Sequence, residues 1–263
     1  MKTLSEQSIR EIEEILRKAP CEDLWKACLR DERSGVRRLA ERYIKNKQTL
    51  LVEDKRIQQL LCEEKKLWNQ GFLRIAGLDE AGRGPLAGPV VAAVCILPAK
   101  FCLPGLDDSK KLSESKREKL FVEIQRQALD YALGSAEPAE IDVLNILQAT
   151  KLAMKRALEG LKVRPHYLLI DALELPLVDL PQLPLVGGDG LSASIAAASI
   201  LAKVTRDRLM KELHTVYPEY GFNSNKGYGT SEHMKVLQRL GPCPLHRRSF
   251  APVATQCNAH NAQ

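Results

Sequence analysis

The stretch from Leu78 to Pro89, Leu-Asp-Glu-Ala-Gly-Arg-Gly-Pro-Leu-Ala-Gly-Pro, constrains this chain more than any other. Ahead of it, Leu73, Ile75 and Leu78 lie among small residues, as in a buried strand. Behind it, Val90 to Leu97 is an unbroken apolar run that reads as a second strand. Asp79 and Glu80 therefore stand where the first strand ends. A turn rich in glycine follows, with Arg83 inside it. Gly82, Gly84 and Gly88 allow close backbone approach, and Pro85 and Pro89 stiffen the path. A tight hairpin with solvated charges is the plain alternative, yet such turns rarely need so many Gly and Pro around an acidic pair. The stretch reads instead as a cation site beside a backbone cradle for phosphate.

The rest of the chain supplies the setting. With 263 residues, 44% of them hydrophobic, it can bury a core as one large domain or as a domain with an appendage. A net charge of +6 fits a polyanionic partner, though weakly. The seven cysteines show no CxxC spacing, which argues for a reduced, cytoplasmic protein without disulfides or zinc. Met1 to Pro20 has no apolar leader core, and no run is long enough to span a membrane. Residues 1–70 read as a helical extension. One apolar face carries Ile9, Ile12, Ile15 and Leu16, a second Val36, Leu39, Ala40, Tyr43 and Ile44, and a third Ile57, Leu60, Leu61 and Trp68. Arg30, Arg33, Arg37, Arg38, Arg42, Lys45 and Lys47 form either a solvated face or an auxiliary nucleic-acid contact.

From 71 to 255 strands alternate with helices, as in an α/β fold with a mixed sheet flanked by helices. Ser113 is a candidate N-cap for a helix over 116–132, 141–161 reads as one helix, and Ser192 opens a long helix rich in alanine. Residues 256–263 read as a disordered tail. No stretch reads as a dimer surface, so a monomer is expected.

Two further acids sit at strand ends. Asp171 closes the apolar run Tyr167–Ile170, and Asp189 follows Leu183–Val186 within Gly187-Gly188-Asp189-Gly190. If those strands are neighbours, Asp79, Glu80, Asp171 and Asp189 converge. Two carboxylates about 4 Å apart repel by roughly 4 kcal/mol at an effective dielectric near 20, so such a cluster requires cations or protons. Oxygen ligands without His or Cys select Mg²⁺ or Mn²⁺, and a pair of such ions suits phosphodiester hydrolysis. Taken singly, Asp171 is also a plausible turn residue and Asp189 a helix cap. In Gly82-Arg83-Gly84 the glycine N–H groups can approach a phosphate or a ribose hydroxyl, and the arginine can clamp phosphate. Tyr228, between Gly227 and Gly229, is either presented on a turn or packed in a loop. Lys203, Arg206 and Arg208 face DNA or water, Arg247 and Arg248 contact phosphate or cap the fold, and His233 and His246 are acid–base groups or structural.

These motifs resemble those of the prokaryotic type-2 ribonucleases H, specifically ribonuclease HII, from about Arg74 to Val253. The resemblance stops short of the helical extension. It implies a ribonuclease H-like fold and a metal-dependent endonuclease acting on RNA–DNA hybrids and on DNA containing ribonucleotides. It also implies incision on the 5′ side of the ribonucleotide, 3′-hydroxyl and 5′-phosphate ends, and a role in ribonucleotide excision repair and DNA replication. Asp79, Glu80, Asp171 and Asp189 match the family's catalytic acids. Gly82, Arg83 and Gly84 match its ribonucleotide-sensing loop, Tyr228 the residue stacked on the sugar, and Lys110 a position near the phosphates. The sister class, ribonuclease HIII, usually lacks the arginine. One departure stands out: the family usually has Lys two residues before its last Asp and Ala or Ser after it, where this chain has Gly187 and Gly190. A looser loop is expected there.

Overall fold

The computed structural model describes residues 4–18 and 21–261. The chain divides into two compact units, Met1–Arg56 and Ile57–Gln263.

The first unit contains α1 (Ile9–Lys18), α2 (Glu22–Leu29) and most of α3 (Ser34–Leu60). Ser8 and Glu11 cap α1 reciprocally: the Glu11 N–H donates to Ser8 Oγ at 3.2 Å and the Ser8 N–H to Glu11 Oε2 at 2.7 Å. Ile12, Leu16, Cys28, Val36 and Ala40 form a small core. The second and third apolar patterns expected as separate helices belong in part to one helix, because no Gly or Pro interrupts 36–60. Two of the basic residues serve this unit internally. Arg33 donates to Asp31 and to the carbonyls of Gln7 and Leu4, and Arg37 to the carbonyls of Asp31 and Glu32. The Arg33 guanidinium holds the Asp31 carboxyl down at about 2.

The second unit begins inside α3, at Ile57, and continues through α4 (Cys62–Asn69) to β1 (Ile75–Ala81) and β2 (Val90–Ile96). Then follow α5 (Glu114–Gln127), β3 (Asp130–Ala136), α6 (Pro138–Leu144), α7 (Ile146–Glu159), β4 (Tyr167–Asp171), β5 (Gln182–Leu185) and α8 (Ala193–Val216). The chain closes with α9 (Phe222–Asn225), α10 (Ser231–Leu240) and α11 (Ala251–Asn261). The unit boundary thus lies before residue 70. α11 also occupies most of the stretch expected as a disordered tail; Gly is absent from 251–261, and Pro252 sits in the helix's first turn, where it is tolerated. Residues 262 and 263 of that tail lie outside the described residues.

The sheet is mixed, in the order β3-β2-β1-β4-β5; β1 runs antiparallel to β2 and parallel to β4. Helices cover both faces, as the α/β reading requires. On one, α8 lies over β1 and β2, with Ala193, Ala196, Ala197 and Ala198 in the core. Its small residues allow a very close approach: a Cβ on Gly77 would sit 2.1 Å from the Ser194 carbonyl carbon. On the other face, Ala76 and Leu78 pack with Ala149, Ala153 and Ala157 of α7. Ser113 and Ser192 are N-caps, accepting from Lys116 N and Ile195 N respectively. The single helix expected over 141–161 is broken at Asn145, whose φ of +67° starts a new helix capped by its own side chain. Among the described residues no helix is long and apolar enough to cross a membrane.

Candidate active site

Strand pairing brings the first two acidic positions together. Leu78 of β1 is paired with Ile170 of β4 in parallel register, so Asp79 and Asp171 follow on adjacent strands at the same end of the sheet. Side-chain alternation puts Asp79 on the Gly77 face, beneath α8, where it is only 4% exposed. There Ser199 of α8 lies beside it and draws its pKa down, and the Ser199 hydroxyl meets the Ser109 hydroxyl at 2.9 Å. Immediately after Asp171, Ala172 adopts φ +52°, a left-handed conformation costly for a residue with a Cβ, and the chain turns sharply away.

Asp79, Glu80, Arg83, Gly84, Lys110, Asp171, Lys203 and Tyr228 line one cleft of about 240 Å³. A larger groove of about 390 Å³, between Leu144 and Leu177, is mainly apolar and contains no acidic residue; the acids line the smaller one. Glu80 Oε1 is paired with Arg83 at 3.2 Å, whereas Glu80 Oε2 is buried without a partner. Burial, then the charges of Glu80 and Asp171, push the Asp79 carboxyl well above its ordinary range. Burial also raises Glu80, against the pull of Arg83. Asp79 is buried, Glu80 and Asp171 are half-buried, and one Glu80 carboxylate oxygen is unsatisfied. Oxygen ligands with an unsatisfied buried carboxylate oxygen are chemically suited to a hard cation. Among the described residues they are not drawn into a ready-made cage of three ligands.

Asp189 is near but differently held. It sits in a 3-10 turn over Gly188–Gly190, and the Gly188 N–H donates to Asp171 Oδ1 at 2.8 Å. Asp189 Oδ2 takes Lys110 Nζ at 3.4 Å, and the Asp108 carboxyl lies close enough to affect its titration. Burial raises Asp189, Lys110 opposes that, and Asp108 adds to it. The loop expected to be loose is closed by bonds from Gly190 N to the Gly187 carbonyl and from Leu191 N and Ser192 N to the Gly188 carbonyl. Gly187 has φ +68°, and a Cβ at either Gly187 or Gly190 would meet nothing within 4 Å.

Tyr228 is 45% exposed and faces the cleft, with its ring 3.8 Å from where a Cβ on Gly84 would lie. Lys203 lines the cleft while paired with Asp207 at 2.7 Å. Arg208 reaches Glu118 and lies over Phe121, away from the cleft. His233 and His246 are buried against each other, Nε2 to Nε2 at 3.0 Å, and do not line the cleft. Arg206 and Arg247 are buried rather than presented to solvent, and the Arg248 N–H donates to Asp142. Sequence reasoning passed over Ser109, Ser199 and Asp108. A serine in an alanine-rich helix signals only close packing, and only the fold places Ser199 over Asp79.

Comparison with known proteins gives this geometry its context. The Ribonuclease HII family model matches residues 76–253, and the Ribonuclease HII N-terminal domain model matches residues 8–68, the extension that the motif resemblance did not reach. Ribonuclease HII of Desulfitobacterium hafniense strain Y51 is 68% identical over 256 residues, 97% of this chain and 98% of that protein. The ribonuclease H2 crystal structure from Pyrococcus horikoshii OT3 superposes with a TM-score of 0.60 at 28% identity, covering 72% of this chain and all of that one. Bst-RNase HIII, solved in complex with Mn²⁺, superposes at 0.56 with 18% identity, over 73% of this chain and 71% of its own; this is a likeness of fold.

Proposed function

The chain belongs to the ribonuclease HII family, and on that premise we propose that it hydrolyses RNA in RNA–DNA hybrids and incises duplex DNA on the 5′ side of embedded ribonucleotides, leaving 3′-hydroxyl and 5′-phosphate ends. One observation carries this reading: Asp79, Glu80 and Asp171, from adjacent strand ends, open onto the same cleft as Arg83, Gly84, Lys110 and Tyr228. Acids and phosphate-seeking groups share one surface.

Asp79, Glu80 and Asp171 would hold Mg²⁺ or Mn²⁺, with Asp189 as a fourth ligand or a support beside them. Such ions supply the charge that stabilises the attacking and leaving oxygens of an in-line phosphodiester hydrolysis. The chain's own residues do the remaining work. Ser199, beside Asp79 on α8, favours its charged form, and Ser109 fixes Ser199. Lys110, exposed beside Asp189, offers a cation to the phosphate backbone while holding Asp189 in place. Arg83 exchanges part of its pairing with Glu80 for a phosphate oxygen. Tyr228 stacks on the sugar beside the scissile phosphate, and the N–H edge of Gly82–Gly84 meets the 2′-hydroxyl, the group that separates RNA from DNA.

A duplex carrying one ribonucleotide, incubated with Mg²⁺ or Mn²⁺, tests the reading. One cut on the 5′ side of the ribonucleotide, with a ligatable 3′-hydroxyl end, is expected, and an all-DNA duplex stays intact. Binding without a cut would indicate a non-cleaving hybrid-binding protein. Equal cutting of the all-DNA duplex would indicate a DNA nuclease of related fold.

A further inference from the structure

Behind the Gly82–Pro89 turn lie two buried guanidinium groups, Arg206 of α8 and Arg247 after α10, both 1% exposed or less. Among the described residues, neither is hydrogen-bonded to a carboxylate. Arg206 donates from Nε to the Pro89 carbonyl at 2.9 Å, and from its two terminal nitrogens to the Ala87 and Lys226 carbonyls at 3.0 Å each. Arg247 donates to the carbonyls of Gly88, Arg83 and Gly82 at 2.5–3.0 Å. The turn rests directly on these groups: a Cβ on Gly82, at φ +96°, would sit 2.0 Å from Arg206 Nε. Lys226 is two residues before Tyr228, so Arg206 also ties the tyrosine's loop to the turn. Leu86 N to the Gly227 carbonyl, at 2.8 Å, is a second tie.

We infer that Arg206 and Arg247 are positioning residues for ribose recognition: they pull the carbonyls of the Gly82–Pro89 turn inward, leave its N–H edge facing the cleft, and fix that edge against Tyr228. The inference rests on the ribonucleotide-specific reading above and deepens it. The bookkeeping of backbone groups supports it. Among the described residues, the N–H groups of Gly82, Arg83 and Gly84 donate to no protein group, while the Gly82 and Arg83 carbonyls are consumed by Arg247. At Gly82 and Arg83 the acceptors are engaged from behind while the N–H groups are free, so this part of the turn presents donors. Donors alone suit an oxygen-rich ligand such as a 2′-hydroxyl or a phosphate. The arrangement is costly, because burying a charge without a counter-ion is unfavourable. Burial lowers both guanidinium pKa values, and the Arg206 charge lowers Arg247 further; carbonyls accepting from each fork favour the charged form. Tethering a surface turn requires no such expense, whereas orienting several peptide groups at once requires a planar, multidentate fork.

Arg206→Lys and Arg247→Lys keep the charge and lose the fork. Fluorescence anisotropy in EDTA would compare a duplex carrying one ribonucleotide with an all-DNA duplex of the same sequence, so that no cleavage intervenes. The wild type is expected to favour the ribonucleotide duplex by about ten-fold, the worth of one well-placed hydrogen bond. Each variant is expected to lose that preference to within about two-fold while its all-DNA affinity holds. A merely structural arginine would weaken both duplexes together. Folded variants that keep the full preference, or lose both affinities equally, overturn the inference. Variants that fail to fold leave a second measurement decisive. In wild-type protein labelled with ¹⁵N-arginine, the protected Nε signals of Arg206 and Arg247 should shift on adding the ribonucleotide duplex and not on adding the all-DNA duplex. Identical responses to both overturn the inference. A wild type without ribonucleotide preference overturns the functional reading, and the inference falls with it.

Discussion

His246 shows how a single side chain is fixed by its neighbours. The Cys243 N–H donates to His246 Nδ1 at 3.1 Å, so the proton of a neutral His246 sits on Nε2. That proton points at His233 Nε2, and His233 in turn donates from Nδ1 to the Tyr228 carbonyl at 2.8 Å. Both rings are therefore neutral in the fold. Burial, then the neighbouring His233, lowers His246 from its ordinary value to about 4. The unfolded chain takes up this proton near pH 6.5 and the folded chain only near 4, so stability present above pH 6.5 is lost as the pH falls through that window. One such shift is worth on the order of 3 kcal/mol. Urea unfolding at pH 7 and pH 4.5 checks it. His246→Phe should be less stable at pH 7, with the gap to wild type closing towards pH 4.5; a constant gap would refute the assignment. At this scale the sequence was uneven as a guide. Asp79 and Asp171 were legible because each ends an apolar run. Ser199 and Asp108 were not, because their partners are far away in the chain.

Among the elements, α4 and α8 are joined by Glu64. Its Oε1 accepts from Ser192 Oγ at 2.5 Å and from Ser194 N at 2.9 Å, so a carboxyl from α4 caps the start of the helix that covers Asp79. Burial raises the Glu64 pKa. For an acid raised in the fold, stability falls as the pH rises from 4.5 through the folded value, because only the unfolded chain ionises there. Glu64→Gln keeps both acceptor bonds and removes that loss, so its melting temperature at pH 8 should equal or exceed that of wild type. Glu64→Ala loses both bonds and opens a cavity, at about 2–4 kcal/mol. Thermal melts at pH 5 and pH 8 distinguish these outcomes, and a Gln variant less stable than wild type at pH 8 would contradict the account. The strands and the caps at Ser113 and Ser192 were readable from local pattern. The break at Asn145 was not, because its left-handed turn interrupts no apolar period. α2 was missed for a related reason: its eight residues mix charge with a single buried cysteine.

For the whole molecule, the unit boundary decides which truncations survive. Ile57, Leu60 and Leu61 belong to the core of the second unit, and Leu67 packs with Ile75 and Ile195. Deleting residues 1–56 should therefore leave a cooperatively folding, active nuclease. Deleting 1–70 removes four buried side chains worth about 1.5–3 kcal/mol each, comparable with the total stability of a domain. Its expected result is insoluble or uncooperative protein, and a well-folded 71–263 fragment would refute the boundary. The α/β class was legible from the alternation of elements, but strand order was not, since β4 reaches β1 only through the tertiary fold. That adjacency is what unites the acids, and substitution tests it most directly. With Mg²⁺ present, Asp79→Asn should reduce incision of a ribonucleotide-containing duplex by on the order of 10³-fold or more while still binding it. Incision by Asp79→Asn at the wild-type rate would contradict the account.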